Sequence, residues 1–491
     1  MPVSVSYPGV YVEEIPSGVR TITGVSTSRT AFIGRALKGP LDSPTVIFSF
    51  ADYERAFGGL SADSTMSFAV QQYFANGGGD AVIVRVANGA TTASATVDGF
   101  QFDAASPGTW GSKLHLTIDR DTRDPANAGL VNMTVLLDTV EVEVLRNVVL
   151  ADVTATLEQR SNYIRFAAGP APAALTVGVP HQFANGHDGA AIVSGDLIGV
   201  DALTRTGMYS LATTDIFNIL CLPPPTFLSD VINTAYQDAA KFCADHRAIL
   251  LVDPPSAAPP TAATADALQN NAASSYKKNA AAFFPRLLAP NPLTGVIEEF
   301  VPCGAVAGVF ARTDAQRGVW KAPAGIDAGI SGISGLSYTL TDPENGELNK
   351  QAVNCLRTFP NLGSVVWGSR TLDGADAIGS EWKYVPVRRL ALYMEESLFR
   401  GLKWVVFEPN DAPLWSQIRL NVGAFMNNLF RQGAFQGASP RDAYFVKCNG
   451  ETTTQNDIDN GIVNIVVGFA PLKPAEFVII KLQQLAGQIQ S

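Results

Sequence analysis

Histidine is scarce in this 491-residue chain, which carries four, and its five cysteines are scattered, the closest two (Cys221 and Cys243) being 22 residues apart. Zinc centres draw on such residues in close pairs, and an odd cysteine count cannot complete a disulfide framework, so neither device is expected. Cys221, Cys243, Cys303, Cys355 and Cys448 read as buried free thiols of a protein folded in a reducing compartment. Only 16% of residues are charged, and their balance is -10. That acidity disfavours a nucleic-acid partner, which calls for a basic footprint, and suits a protein that stays soluble at high concentration. No run approaches the ~20 apolar residues of a membrane span. Met1 to Ser6 also lacks the basic and apolar segments of a secretion signal. The expectation is a soluble product assembled in the bacterial cytoplasm, with no direct membrane insertion.

The chemistry of catalysis is equally thin. There is no Gly-x-Ser-x-Gly elbow, P-loop or Gly-x-Gly-x-x-Gly fingerprint. Gly77-Gly78-Gly79-Asp80 follows a helix pattern and precedes a strand pattern, the reverse of the order a phosphate cradle needs, and reads as a helix stop. His181 and His187 sit six apart in a Gly-rich loop, not at the i,i+4 spacing of helical metal pairs, while His115 and His246 have no evident partners. Adjacent acids such as Glu13-Glu14, Glu298-Glu299 and Glu395-Glu396 do not face one another and are expected in solvent. The expectation is therefore no catalytic residue, no cofactor and no metal.

What is present is core-building sequence: 46% hydrophobic residues over a length that suggests two to four domains. Residues 1–20 read as an arm, because Val10-Tyr11-Val12-Glu13-Glu14-Ile15 has strand composition, is bracketed by Pro8-Gly9 and Pro16-Ser17-Gly18, and has no hairpin partner. Such a strand must pair at a distance or with another chain. From Ala31 to Ala87 the pattern is strand, helix, helix, strand, and α/β character returns at Phe217–Leu222, a helix Ser229–Asp245 and a strand Ala248–Val252, with 256–265 a loop. Between them, residues 91–195 are rich in Thr, Val, Asp and Gly with period-two alternation, which reads as a mostly β insertion. The segment 360–491 carries two apolar helical stripes: Val387, Leu390, Ala391, Met394 and Leu398, then Leu414, Ile418, Val422, Phe425 and Leu429, the second capped by Asn410 or Asp411. Strands Ile462–Phe469 and Glu476–Leu482 end the chain. The fold class is α/β and α+β multidomain. An arm (1–20) precedes a discontinuous α/β domain (21–90 and 196–359) interrupted by the insertion, and a C-terminal core (360–491) follows.

Three landmarks lie in order along the chain. Tyr7-Pro8-Gly9-Val10-Tyr11-Val12-Glu13-Glu14 comes first, and Gly304-Ala305-Val306-Ala307-Gly308-Val309-Phe310-Ala311-Arg312-Thr313-Asp314 with Gly318-Val319-Trp320-Lys321 second. The third is Trp404-Val405-Val406-Phe407-Glu408-Pro409-Asn410-Asp411 with Tyr444–Cys448, Thr454–Gly461 and Lys473–Ile480. Together they resemble contractile tail sheath proteins of myophage tails and phage-derived injection particles. The resemblance implies a structural subunit that polymerises as hexameric rings stacked in a helical sheath around an inner tube protein, between a baseplate and a terminal cap, and contracts. It also implies that Val10, Tyr11, Val12, Glu13, Glu14 and Ile15 form an inter-subunit strand, accepted on sheet edges at Ile462, Val463, Ile465, Val467, Phe477, Val478, Ile479 and Ile480. A surface adhesin or carbohydrate-binding protein using the β insertion is the competing reading.

Overall fold

The computed structural model of the chain describes residues 20–167, 169–201, 203–227 and 229–482. The strand expected at Val10, Tyr11, Val12, Glu13, Glu14 and Ile15 lies outside the described residues. The chain divides into two compact units, one running from Ser26 to Arg389 and the other joining the residues through Val25 to those from Leu390 onward.

The larger unit is built on an eight-stranded sheet. Its strands are β1 (Thr30–Gly34), β2 (Thr45–Ile47), β3 (Ala81–Arg85), β4 (Ile219–Cys221), β5 (Ile249–Val252), β6 (Ala280–Phe284), β7 (Val353–Phe359) and β8 (Gly363–Val366). They lie in the order β8-β7-β6-β5-β4-β1-β3-β2. The six inner strands run parallel, with Thr30 opposite both Ile219 and Ala81, and the two edge strands are antiparallel. Parallel strands are buried on both faces, which is why β1, β3, β4, β5 and β6 are buried throughout. One face is covered by α1 (Phe50–Phe57), α2 (Thr65–Ala75) and α4 (Cys303–Arg317), the other by α3 (Asn233–Asp245) and its neighbours. Ser49 and Ser64 cap the first two helices by accepting the Asp52 and Ser67 amides at 3.2 and 3.1 Å, and Gly58 ends α1 at a φ of 92° that a side chain would resist.

Several boundaries differ from the sequence reading. The sheet runs past 359 because β8 pairs antiparallel with β7, so the unit ends at Arg389 and not at 359. Residues 21–25 belong with the C-terminal unit: Ile22 is buried, and a Cβ on Gly401 would lie 2.7 Å from its side chain. The stretch 256–265 is only partly loop, since Thr261 accepts the Thr264 amide and starts a helix at Ala262–Gln269, where alanine propensity outweighs the Pro-rich lead-in.

The insertion forms a four-stranded sheet (181–182, 114–119, 130–137, 140–149) and a three-stranded one (94–97, 100–104, 164–166) around one apolar core that includes Phe102, Leu116, Val135 and Phe183. It stands on a two-chain stalk in which Asn88, Thr91 and Ser94 bridge antiparallel to Ala190, His187 and Ala184. At its base Arg85, 2% exposed, donates to the carbonyls of Ala36 (3.0 Å), Gly39 (2.7 Å) and Pro107 (2.9 Å). Replacing it would take a donor from all three carbonyls, of which Pro107 alone keeps another, the Trp110 indole N–H at 3.3 Å. Arg85→Met is expected to lower stability by about 3 kcal/mol or more and to speed proteolysis of the stalk. Denaturant unfolding and limited digestion read both effects.

Candidate assembly interface

The C-terminal unit begins with the later residues of α5 (Val385–Gly401), followed by α6 (Ala412–Arg431), β9 (Tyr444–Lys447) and β10 (Val466–Phe469). Asp411, not Asn410, caps α6, accepting the Leu414 amide at 3.0 Å, with Pro413 in the first turn. Asn410 instead receives the Trp415 indole N–H at 2.9 Å and donates to the Ile462 carbonyl at 2.9 Å. Leu414, Ile418, Val422, Phe425 and Leu429 are buried on one face of α6, and Val387, Leu390, Ala391 and Met394 are buried on α5, with Leu398 partly so.

Residues 20–25 run over these two helices. The Arg20 amide donates to Asn421 Oδ1 at 3.1 Å and its guanidinium lies 4.6 Å from the Trp404 ring. Gly24 sits against Tyr393, where a Cβ would lie 1.9 Å from the hydroxyl, and the Val25 amide donates to Ser397 Oγ at 3.3 Å. The root of the N-terminal segment is therefore fixed in the C-terminal unit. Sequence reasoning missed this because Arg20 to Val25 carries no periodicity.

β9 and β10 form a two-stranded antiparallel sheet, Tyr444 opposite Phe469 and Lys447 opposite Val466. The Ala470 amide donates to Ala443 (2.8 Å), the Gln436 amide to Ala470 (2.9 Å), and Phe435 bridges Pro471, after which the described residues have no further strand pairing. On one face Phe435 gathers Tyr444 and Phe469 within 6.1 and 5.9 Å; on the other the Phe445 ring lies over Gly468, where a Cβ would approach it to 2.2 Å. A two-stranded hairpin is marginal alone, and an open strand edge is a template for another strand.

Of the residues expected to form accepting edges, only Val467 lies in a strand. Ile462, Val463 and Ile465 precede β10 without pairing, their position set by the Asn410 bond to Ile462. Phe477, Val478, Ile479 and Ile480 follow β10 outside any helix or strand and are 72%, 82%, 82% and 78% exposed. Among the described residues nothing covers these four apolar side chains. Four consecutive apolar residues read as a strand covered on both faces.

The other residues weighed for chemistry have structural surroundings. His181 pairs opposite Leu116, and His187 Nδ1 accepts the Gly189 amide at 2.9 Å within the insertion stalk. Among the described residues no group of three or more His, Cys, Asp or Glu side chains is placed to hold a metal. The five cysteines are buried free thiols, and among the described residues no helix is long and apolar enough to cross a membrane. Glu298 accepts from Asn291 Nδ2 at 2.8 Å, and Glu396 accepts from Arg400 at 2.6 Å; these acids are engaged, not merely solvated, because each has a donor nearby in sequence, seven residues away across a turn for Glu298 and four along a helix for Glu396.

Two family models match the chain: the phage tail sheath protein central domain over residues 201–372 and the phage tail sheath C-terminal domain over 379–484. Together they span more than half of it, and the β insertion lies outside both. The tail sheath protein of Salmonella phage ViI is 27% identical over 173 residues, 35% of this chain and 26% of that protein. The tail sheath protein of Enterobacteria phage T4 is 27% identical over 33% of this chain and 24% of its own length. A putative prophage major tail sheath protein of Pseudomonas aeruginosa is 27% identical over 35% of this chain and 42% of its own. The match thus reaches less than half the length of these relatives. Among solved structures, the sheath complex of an extracellular contractile injection system in its contracted state superposes with a TM-score of 0.61 at 24% identity, covering 98% of both chains. A chain of the anti-feeding prophage baseplate gives 0.58 at 25% identity over 98% and 99%, and the sheath tail protein of Listeria innocua 0.62 at 16% over 92% and 96%.

Because Phe477 and Ile479 are exposed in the lone chain, Phe477→Lys with Ile479→Lys is expected to change unfolding stability by no more than about 0.5 kcal/mol while abolishing self-association. Sedimentation beside denaturant unfolding separates the two effects.

Proposed function

Because this chain belongs to the phage tail sheath family, we propose that it is the subunit of a contractile sheath that polymerises by exchanging strands at its C-terminal unit. The observation that carries this reading is the exposed run Phe477–Ile480 leaving a two-stranded sheet whose outer edges are open among the described residues. In the assembly, the run from one subunit and the Val10–Ile15 strand of another would add to a neighbour's β9–β10 pair, completing a sheet too small to be stable alone. Each added hydrogen bond contributes only about 0.5–1.5 kcal/mol; strength comes from repetition, since a subunit held at one arm presents the next at high effective concentration. Seating of Arg20–Val25 on α5 and α6 supports this, because both terminal segments then leave the unit that holds the accepting edges.

The polymer would consist of hexameric rings stacked helically around an inner tube, joined to a baseplate and a terminal cap, and formed in the bacterial cytoplasm. Contraction would release conformational energy stored at assembly, with subunits repacking as nearly rigid bodies and the strand arms as hinges. No catalysis by this subunit is involved. The insertion, confined to a two-chain stalk, would decorate the assembly without building it. The adhesin reading is weaker: it draws only on the insertion, whereas the assembly features lie in the unit the C-terminal family model matches.

Deleting residues 1–19, which leaves the Arg20 anchor in place, should give a folded monomer that makes no tubes under the electron microscope. Truncation after Pro471 should do the same. Normal tubes from either variant would refute strand exchange as the assembly mechanism.

A further inference from the structure

Beyond the C-terminal end of β5, where parallel α/β sheets open their crevice, the larger unit holds a cavity of about 30 Å³ with a mixed polar and apolar lining. It is lined by Asp253, Asn271, Tyr236, Leu268, Asp230 and Arg286. Asp253 (6% exposed) uses Oδ1 to accept the amide of Cys303, the first residue of α4, at 2.9 Å, and its own amide donates to the Tyr236 hydroxyl at 3.2 Å. Its Oδ2 is buried and has no hydrogen-bond partner, and the same is true of Oδ1 of Asn271, which is 4% exposed. Two orphan acceptors thus line one cavity, which is large enough for a water molecule.

The charge around the cavity is also unbalanced. Arg286 is the cation there, and its guanidinium is committed to Asp230, to Glu299 at 3.5 Å and to the Pro254 carbonyl at 3.0 Å. The remaining titratable groups facing Asp253 are Cys221 on β4, Cys303 on α4 and Tyr236 on α3, none of them a cation. An ionised Asp253 would be a third carboxylate near one arginine, with the Cys303 amide on one oxygen and no hydrogen bond to the other, and a buried charge only partly compensated in this way is unfavourable.

We propose that Asp253 is a proton-binding site, its carboxyl held protonated on Oδ2 in the folded subunit and donating, through a water in the cavity, to Asn271 Oδ1. One proton then resolves both orphan acceptors and the charge imbalance. Releasing it puts a charge against the first turn of α4, the helix whose far end carries Asp314 in a bidentate pair with buried Arg389 at 2.9 and 2.6 Å. The site therefore makes the anchorage of α4 sensitive to pH. Burial supports this by pushing the carboxyl up to about 7, against the lowering effects of the Cys303 bonds and the Arg286 charge. A carboxyl whose pKa is higher folded than unfolded binds its proton more tightly in the folded state. The stabilisation is complete below the ordinary carboxylate range and is lost as pH rises to about 7.

The test is denaturant unfolding of the full chain from pH 5.5 to 8.5, with Asp253→Asn as reference. That variant keeps the acceptor for Cys303 and places an N–H where the proton would be. The ratio of the wild-type folding constant to that of the variant should fall by up to about tenfold per pH unit below neutrality and level off above pH 7.5. Parallel profiles would overturn the proposal. Should Asp253→Asn not fold, infrared difference spectra of the wild-type chain between pH 6 and 8 decide: a protonated-carboxyl stretch that titrates there and shifts in Asn271→Leu is expected, and its absence would overturn the assignment.

Discussion

The larger unit depends on how closely α4 approaches α2. A Cβ on Gly304 would lie 2.1 Å from the Ala69 carbonyl oxygen, and one on Gly308 2.5 Å from that of Tyr73. Both positions must be glycine for the helices to meet at this distance. A parallel sheet needs both faces covered, and the close crossing lets α2 and α4 cover one face together, with Val306, Val309 and Phe310 reaching the same core as Ile249, Phe283 and Leu356. Every residue from Cys303 to Ala311 is buried as a result. The helix is then held at its ends by polar contacts: the Cys303 amide on Asp253, Arg312 on the carbonyls of Asn76 (3.0 Å) and Gly329 (2.6 Å), and Asp314 on Arg389. Arg389 also donates to the Thr27 carbonyl at 2.8 Å and lies over Phe310, so the two points where the chain leaves this unit are fixed to the same helix.

That dependence explains which parts of the structure were legible in the sequence. The glycine stop at Gly77-Gly78-Gly79 marks the end of α2 because such breaks act locally, and the buried-type strands at 30–34 and 81–85 stand out because a strand covered on both faces is apolar at nearly every position. The Gly304/Gly308 spacing was visible as a landmark, but its purpose was not, since the partner backbone lies more than two hundred residues earlier. The boundary was expected at 359, whereas the compact unit runs to Arg389, for a similar reason. β8 is four residues of Gly, Ser and Val whose pairing with β7 outweighs the composition shift around it.

The candidate interface was legible in kind and not in detail. The apolar stripes of α5 and α6 and the short strands after them were apparent from periodicity. Whether Phe477–Ile480 accepts or donates a strand could not be read, because acceptor and donor share one composition and differ only in whether a neighbouring strand already exists. Ile462 to Ile465 looks like strand for the same reason, yet its backbone is diverted by the side chain of Asn410, a contact across fifty-two residues. Polar groups recruited over such distances leave no local trace.

An exposed apolar run such as Phe477–Ile480 is an aggregation hazard, and the residues around it limit that hazard. Pro471 and Pro474 cannot donate to a ladder, so indiscriminate pairing cannot extend back along the segment, and charged residues, Glu476 and the exposed Lys481, bound the run on its two sides. The chain as a whole carries a net charge of -10. Chains of like charge repel one another over the roughly 8 Å screening length of physiological salt, which opposes chance contact between exposed runs. Backbone hydrogen bonds made along the run would join uncharged groups, so pairing with a fitted edge would not depend on those charges.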